Sequence, residues 1–280
     1  MMPPTGWTKM TVDSLISVME SGSRPKGGVS SDRGDIPSLG GENIVSTGGV
    51  ILDDVKLVSF EFYSRMTKGH LKDGDVLINK DGAQTGKVGY YHAPSNPPSC
   101  INEHLFLLRG NPDEIEQKYL YYTLLSQSGQ NQIRAQISGS AQPGLKSTFT
   151  KSIVIDLPDS LSEQAQIAEV LSAIDCAIEE TEALIDKQQR IKTGLMQDLL
   201  NRGIDPKGIL RSEQTHEFKD SPHGRIPVEW GIKSLSELAQ VERGKFTHRP
   251  RNDPQFYGGD LPFIQTGDVT SVRRQSLSDT

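Results

Sequence analysis

Cysteine is scarce in this chain: among 280 residues only Cys100 and Cys176 occur. Two cysteines cannot build a disulfide framework or a cysteine zinc site, and they fit a reducing, cytoplasmic setting. A run of about eighteen apolar residues is also missing, which excludes a membrane-spanning helix. The opening Met1-Met2-Pro3-Pro4-Thr5-Gly6 has neither the basic nor the apolar region of a signal peptide. Nor is there an excess of positive charge: 30 Lys/Arg stand against 36 Asp/Glu, a net charge of −6. That argues against a strongly basic nucleic-acid coat, although a near-neutral domain can still bind DNA where its cations face one cleft.

What the chain does contain is a long-period echo. Pro4, Trp7, Val12, Leu15, Val18 and Gly22 return about 223 residues later as Pro227, Trp230, Leu235, Leu238, Val241 and Gly244, with a slip before the glycine. Gly34-Asp35-Ile36-Pro37-Ser38-Leu39 likewise returns as Gly259-Asp260-Leu261-Pro262-Phe263-Ile264, and Asn43-Ile44 as Asp268-Val269. Repeats of short period signal solenoids. A period this long signals a duplicated globular unit.

The acid is unevenly spread. Residues 1–160 carry 15 Lys/Arg against 17 Asp/Glu, and residues 161–202 carry 4 against 8. In that second stretch Ser160 and Glu163 have capping-box spacing, and Gly203 with Pro206 marks a stop. Between them Ile167, Val170, Leu171, Ile174, Ile178, Leu184, Ile185, Ile191, Leu195 and Leu199 form an apolar stripe, interrupted by Thr181 and Gln188. Acids crowd its first half and Lys187, Arg190, Lys192 and Arg202 its second, the order a helix dipole favours. The pattern predicts a helix roughly 60 Å long, and a stripe this narrow calls for a partner helix in a coiled coil.

Before the rod, the spacing predicts an α+β domain. Helices are expected over Thr11–Glu20, stopped by Gly22, and over Glu116–Ser126. Strand material is expected within Val50–Phe62, at Gly74–Ile78, Lys87–Tyr91 and His104–Arg109, and over Ser152–Leu157. Residues 204–229, punctuated by glycine and proline, read as a linker.

Catalytic motifs fail on inspection. Asn96-Pro97-Pro98-Ser99 resembles an adenine methyltransferase tetrad, but Ser99 stands where an aromatic must stack on a flipped base. No glycine-rich nucleotide loop accompanies it. Around Asp75 and Lys80 the second acid of a nuclease core would fall on Ile78. The six histidines lack zinc-ligand spacing, and Glu103-His104 reads as a strand pair before a dyad. The segment Lys80 to Lys87 is different. Gly82 and Gly86 frame a turn that offers Lys80, Gln84, Thr85 and Lys87; lysine suits phosphate, and glutamine can bond an adenine edge twice. Ser140, Gln142 and Lys146 form a similar polar loop, and Arg24 and Lys26 follow the first predicted helix. Each of these also reads as a solvated loop tip.

Glu163-Gln164-Ala165-Gln166-Ile167-Ala168-Glu169-Val170-Leu171-Ser172-Ala173-Ile174-Asp175, preceded by Leu157-Pro158, resembles the central conserved region of type I restriction-modification specificity subunits. Lys192-Thr193-Gly194-Leu195-Met196-Gln197-Asp198-Leu199-Leu200 does too, as do the flanks Trp7, Gly34-Asp35-Ile36-Pro37, Gly74-Asp75-Val76-Leu77-Ile78 and Ser138-Gly139-Ser140. The resemblance implies a non-catalytic chain in which recognition domains read the halves of a split double-stranded DNA site and long antiparallel helices space them. It implies modification subunits that use S-adenosylmethionine, and restriction subunits that use ATP and Mg2+, with no cofactor on this chain. The expected layout is a first recognition domain with a twisted sheet at 1–159, a coiled-coil-forming helix at 160–203, a linker at 204–229 and an incomplete second recognition domain at 230–280. Ile167, Leu171, Ile174, Ile178, Ile185, Leu195 and Leu199 would then seat a partner helix, from a second copy or another specificity fragment. The alternative is an interaction protein that binds modification subunits through its helix as a competitor or inactive fragment.

Overall fold

The computed structural model describes residues 5–28, 34–93, 95, 97–139, 143–242, 254 and 259. The chain divides into two compact units, Met1–Ile191 and Lys192–Thr280. The boundary falls inside the long helix and not at either of its ends.

The first unit is built on two strands made almost wholly of apolar residues. β5 (Val76–Asn79) and β8 (Leu105–Gly110) pair antiparallel, and β2 (Ile16–Ser21) and β6 (Val88–Tyr90) flank them in the order β2-β8-β5-β6. Both faces of the central pair are covered, which is why these runs do not alternate with polar residues. Val76, Ile78, Phe106 and Leu108 face α3 (Gln117–Leu125) and α4 (Gln127–Gln136) in the larger core. Leu77, Leu105 and Leu107 face Leu39, Tyr91 and Ile101 in the smaller one. A second sheet joins β3 (Ile36–Leu39) to β4 (Lys56–Val58) antiparallel and to β7 (Cys100–Ile101) parallel. β4 is followed by the short helix α2 (Phe60–Arg65). β1 (Trp7–Thr11) pairs with β9 (Val154–Pro158), closing the ends of the domain onto each other.

The predicted helix Thr11–Glu20 is mostly strand. A single turn, α1 (Val12–Leu15), capped by the Thr11 hydroxyl, passes directly into β2. The exposed edge of β8 offers backbone partners over this whole segment, and pairing there overrides a local apolar spacing that fits a helix equally well. Gly22 accordingly ends a strand. A Cβ at that position would fall on the Ile101 carbonyl, so the close approach of two backbones requires glycine. α4 was not foreseen; its sequence is polar, and Ser126 both ends α3 and caps α4 through the Gly129 N–H. Asp75 is engaged within the fold. Its buried carboxylate takes Arg109 Nε at 2.6 Å and Nη2 at 2.9 Å, with the Lys72 N–H at 2.8 Å. Burial pushes this carboxyl up, and the Arg109 bonds offset only part of that rise.

α5 (Leu161–Arg202) starts where the sequence places it, with the Glu163 N–H on the Ser160 hydroxyl at 3.4 Å. Its root is keyed into the domain by Gln164, only 1% exposed. The Gln164 oxygen accepts from the Glu116 N–H at 2.9 Å, and its amide nitrogen donates to the carbonyls of Pro158 at 2.9 Å and Glu114 at 3.4 Å. Lys118 to Ser172 at 3.1 Å and Tyr122 to Asp175 at 2.7 Å extend the contact along α3.

In the second unit, the segment read as a linker is ordered among the described residues. β10 (Phe218–Lys219) and β11 (Ile226–Pro227) form a small hairpin, and the Asp205 carboxylate holds a turn by accepting from the Lys207 and Ile209 N–H groups. α6 (Leu235–Leu238) repeats the single turn of α1 at the spacing of the sequence echo. The surroundings differ: Val12 and Leu15 are fully buried, whereas Leu235 and Leu238 are 66% and 65% exposed. Most of residues 243–280, including the second half of the echo, lie outside the described residues.

Replacing Gln164 by alanine takes this partner from three backbone groups in two chain segments. Q164A is expected to lose about 2–3 kcal/mol of stability in chemical denaturation. A loss under about 0.5 kcal/mol would mean that the key is not sensed.

Candidate nucleic-acid interface

Three segments that the sequence singled out separately are brought together at one edge of the first unit. The β5–β6 loop is closed by Gly86 N–H to Asn79 O at 2.7 Å and Thr85 N–H to Gly82 O at 3.2 Å. Gly82 and Gly86 both hold positive φ there, which supports the tight turn. The polar loop after α4 is stitched to it by Gly82 N–H to Pro143 O at 3.1 Å, Leu145 N–H to Lys80 O at 2.7 Å and a bridge between Asp81 and Gly144. The turn after β2 joins through side chains. Arg24 Nε lies 2.7 Å from Glu103 Oε1, and the His104 ring lies between Glu103 at 3.3 Å and Asp81 at 2.6 Å.

The predicted residues divide by what holds them. Lys80 points inward, donating to the Ser21 hydroxyl at 3.0 Å over the Phe106 ring. The Thr85 hydroxyl donates to Gly82 O at 2.6 Å and Pro143 O at 3.2 Å, a pin between the loops and not a free contact. Gln84 is exposed, and its side-chain oxygen accepts from Lys87 Nζ at 2.9 Å. Lys87 is half-buried and reaches Ile44 O at 3.3 Å. Lys146 is exposed on the stitched loop, while Ser140 and Gln142 lie outside the described residues, as does Asn96. Arg24 and Lys26 line an open concavity with Pro25, Gly27 and Gly28, on a turn closed by Gly28 N–H to Pro25 O at 3.1 Å.

Asp81, Glu103 and His104 were missed as a group. Glu103 and His104 do not form a strand pair; they occupy a turn before β8, from which both side chains reach other segments. Only pairing between segments distant in sequence reveals that role. Near them, burial raises the Glu42 carboxyl, but its bond from Lys56 Nζ at 2.6 Å brings it below the ordinary value. Among the described residues no three His, Cys, Asp or Glu side chains gather as a metal site, and no helix is long and apolar enough to cross a membrane.

The arrangement presents amide and cationic groups on stitched loops, beside a rooted helix. Residues 4–188 match the family model for the type I restriction modification DNA specificity domain. The chain belongs to that specificity-subunit family. It is 25% identical over 176 residues to the MjaVIII specificity subunit of a type I restriction enzyme from Methanocaldococcus jannaschii, covering 63% of this chain and 38% of that protein. It is 28% identical over 178 residues to the MjaIX specificity subunit of the same organism, covering 64% and 39%. The chain therefore spans less than half the length of these specificity subunits. The fold resembles the crystal structure of the type I restriction-modification S subunit from M. genitalium, with a TM-score of 0.52 and 21% identity over 88% of this chain and 61% of that one.

The stripe on the specificity helix is unevenly placed. Ile167 packs against the core of its own domain instead of joining the free face. Leu171 is at the margin at 37% exposed, and Ile174, Ile178, Ile185, Leu195 and Leu199 are open.

The Thr85 pin generates a local prediction. Thr85→Val removes the donor shared by two carbonyls and is expected to cost about 1 kcal/mol. Hydrogen exchange should quicken roughly fivefold at Gly82 and Leu145, with β8 unchanged. Unchanged exchange at both amides would show that the loops hold together without it.

Proposed function

We propose that this chain is the non-catalytic, DNA-reading subunit of a type I restriction-modification complex. Its first domain reads one half of a split double-stranded DNA site, and its long helix spaces that reader from the next. The observation that carries this reading is the convergence of Arg24, Lys26, Gln84 and Lys146 on cross-stitched loops of a domain rooted to a rod. Loops fixed before binding lose little entropy when they meet a groove. S-adenosylmethionine is assigned to the modification subunits, and ATP and Mg2+ to the restriction subunits.

The open stripe supports a helical partner. Burying an isoleucine or leucine contributes about 1.5–3 kcal/mol, so covering three of the five open positions stabilises by several kcal/mol. A second copy of this chain, packed antiparallel, sets its acidic half against the basic half of the other. Such a pair would read a symmetric split site. In sedimentation the full chain is expected to be dimeric, and Ile178→Asp to shift it to monomer. A wild-type chain that stays monomeric at high concentration removes this arm of the proposal.

Co-expression with a type I modification subunit, followed by methylome sequencing, tests the reading as a whole. The expected outcome is N6-methyladenine at one split motif, absent when either chain is omitted. A complex that forms but methylates no motif supports the competitor reading instead. Within an active complex, Lys26→Ala is expected to weaken binding uniformly across sequences. It should also lower the slope of log affinity against log salt by about one. A changed motif in that variant would make Lys26 a base contact.

A further inference from the structure

Gln84 is not a free amide. Its side-chain oxygen accepts from the Lys87 ammonium at 2.9 Å, and Lys87 is itself drawn inward to Ile44 O at 3.3 Å. A lysine ammonium has donors and no acceptor, so the atom facing it has to be the amide oxygen. The usual ambiguity between the two ends of an amide is therefore removed by its partner. The backbone beneath is equally fixed, with Lys87 N–H on Gln84 O at 3.1 Å and Gly86 N–H on Asn79 O at 2.7 Å.

This changes what the loop tip can read. A free glutamine offers one donor and one acceptor and matches the N6 and N7 positions of adenine. With one face of its oxygen held by Lys87, the exposed Gln84 amide keeps both Nε2 hydrogens to give, beside an ammonium with a further hydrogen. A tip with three hydrogens to give and its acceptor already engaged fits best a base edge that only accepts. In the major groove that is guanine, with O6 and N7 side by side. DNA phosphate is also a pure acceptor, but the ammonium is pulled towards Ile44 O while the neutral amide stands exposed, which favours a base edge over a charged oxygen.

We propose that the Gln84–Lys87 pair is a specificity determinant that reads guanine in the recognised half-site. The inference rests on the DNA-reading function proposed above. It is tested by selecting bound duplexes from a random pool with the full chain and a co-expressed modification subunit. The wild-type complex is expected to enrich a split motif containing a guanine whose selection disappears in Gln84→Ala, with a loss of about tenfold to a hundredfold on that base alone. Gln84→Glu, which turns acceptors outward, should move the same position to cytosine. Lys87→Met frees the amide oxygen and should admit adenine there.

A motif unchanged in all three variants overturns the inference, as does a wild-type adenine at the affected position. Uniform weakening across sequences in Gln84→Ala, with a lower salt slope, assigns the pair to phosphate and also overturns it. If the wild-type complex enriches no sequence, the DNA-reading function itself falls, and this inference with it.

Discussion

The side chain of Gln164 joins three stretches of chain at one point: the end of β9, the segment before α3 and the first turn of α5. Two backbone groups before α3 and one at the end of β9 are satisfied by the single amide that α5 contributes. The helix therefore leaves the domain in a fixed direction, reinforced over the next turns by the Lys118–Ser172 and Tyr122–Asp175 bonds. The joint occupies only the first turns. Ile167 and Ala168 are used up in it, and from Ile174 onward the apolar stripe has no cover from its own domain. A rigid root and an open shaft are two consequences of one packing arrangement.

A second constraint organises the candidate interface. Its loops are held by the core beneath them, in which Leu145 is buried, and also by one another, through Thr85, Pro143, the Leu145 N–H and the bridge at Asp81. Arg24, Glu103, His104 and Asp81 add a side-chain chain across the same edge. Such a surface keeps its shape while single exposed tips such as Gln84 and Lys146 vary freely. The buried strands β5 and β8, which carry two cores, have no such freedom. This separation lets one scaffold present different chemistry at its edge.

How much of this the sequence disclosed depends on the range of the interaction. The rod was legible because its cap, stripe, charge order and terminal glycine all lie along one segment. β5, β6 and β8 were legible because short apolar runs bounded by turn residues leave few alternatives. Thr11–Glu20 misled because Val12, Leu15, Ile16 and Met19 suit a helix locally, while the edge of β8, about ninety residues away, decides for a strand. α4 was hidden by its polar composition, with Ile133 as its one buried large side chain. At the candidate site, residue types pointed to loops that the fold brings together but not to the bonds each residue makes there. Lys80 and Thr85 were chosen for their chemistry and are spent on internal bonds, and Asp81, Glu103 and His104 gained theirs only through folding.

The same internal spending explains how a near-neutral domain can serve as a reader. Of the cations named at this edge, Lys80 is committed to Ser21 and Phe106, Arg24 to Glu103, and Lys87 to Gln84 and Ile44. Lys26 and Lys146 have no such ion pair among the described residues. A surface with so few uncommitted charges gains little from counterion release, the sequence-independent part of DNA affinity. What it retains is directional: amide and ammonium hydrogens held by fixed partners, which under the proposed function would discriminate between base edges more than they hold the backbone. Under the proposed function, grip and discrimination would come from different places, grip from subunits that add positive charge and discrimination from this chain. A strongly basic reader would stay bound to any sequence it met. Weak intrinsic grip would suit a subunit whose proposed contribution to a complex is the choice of site.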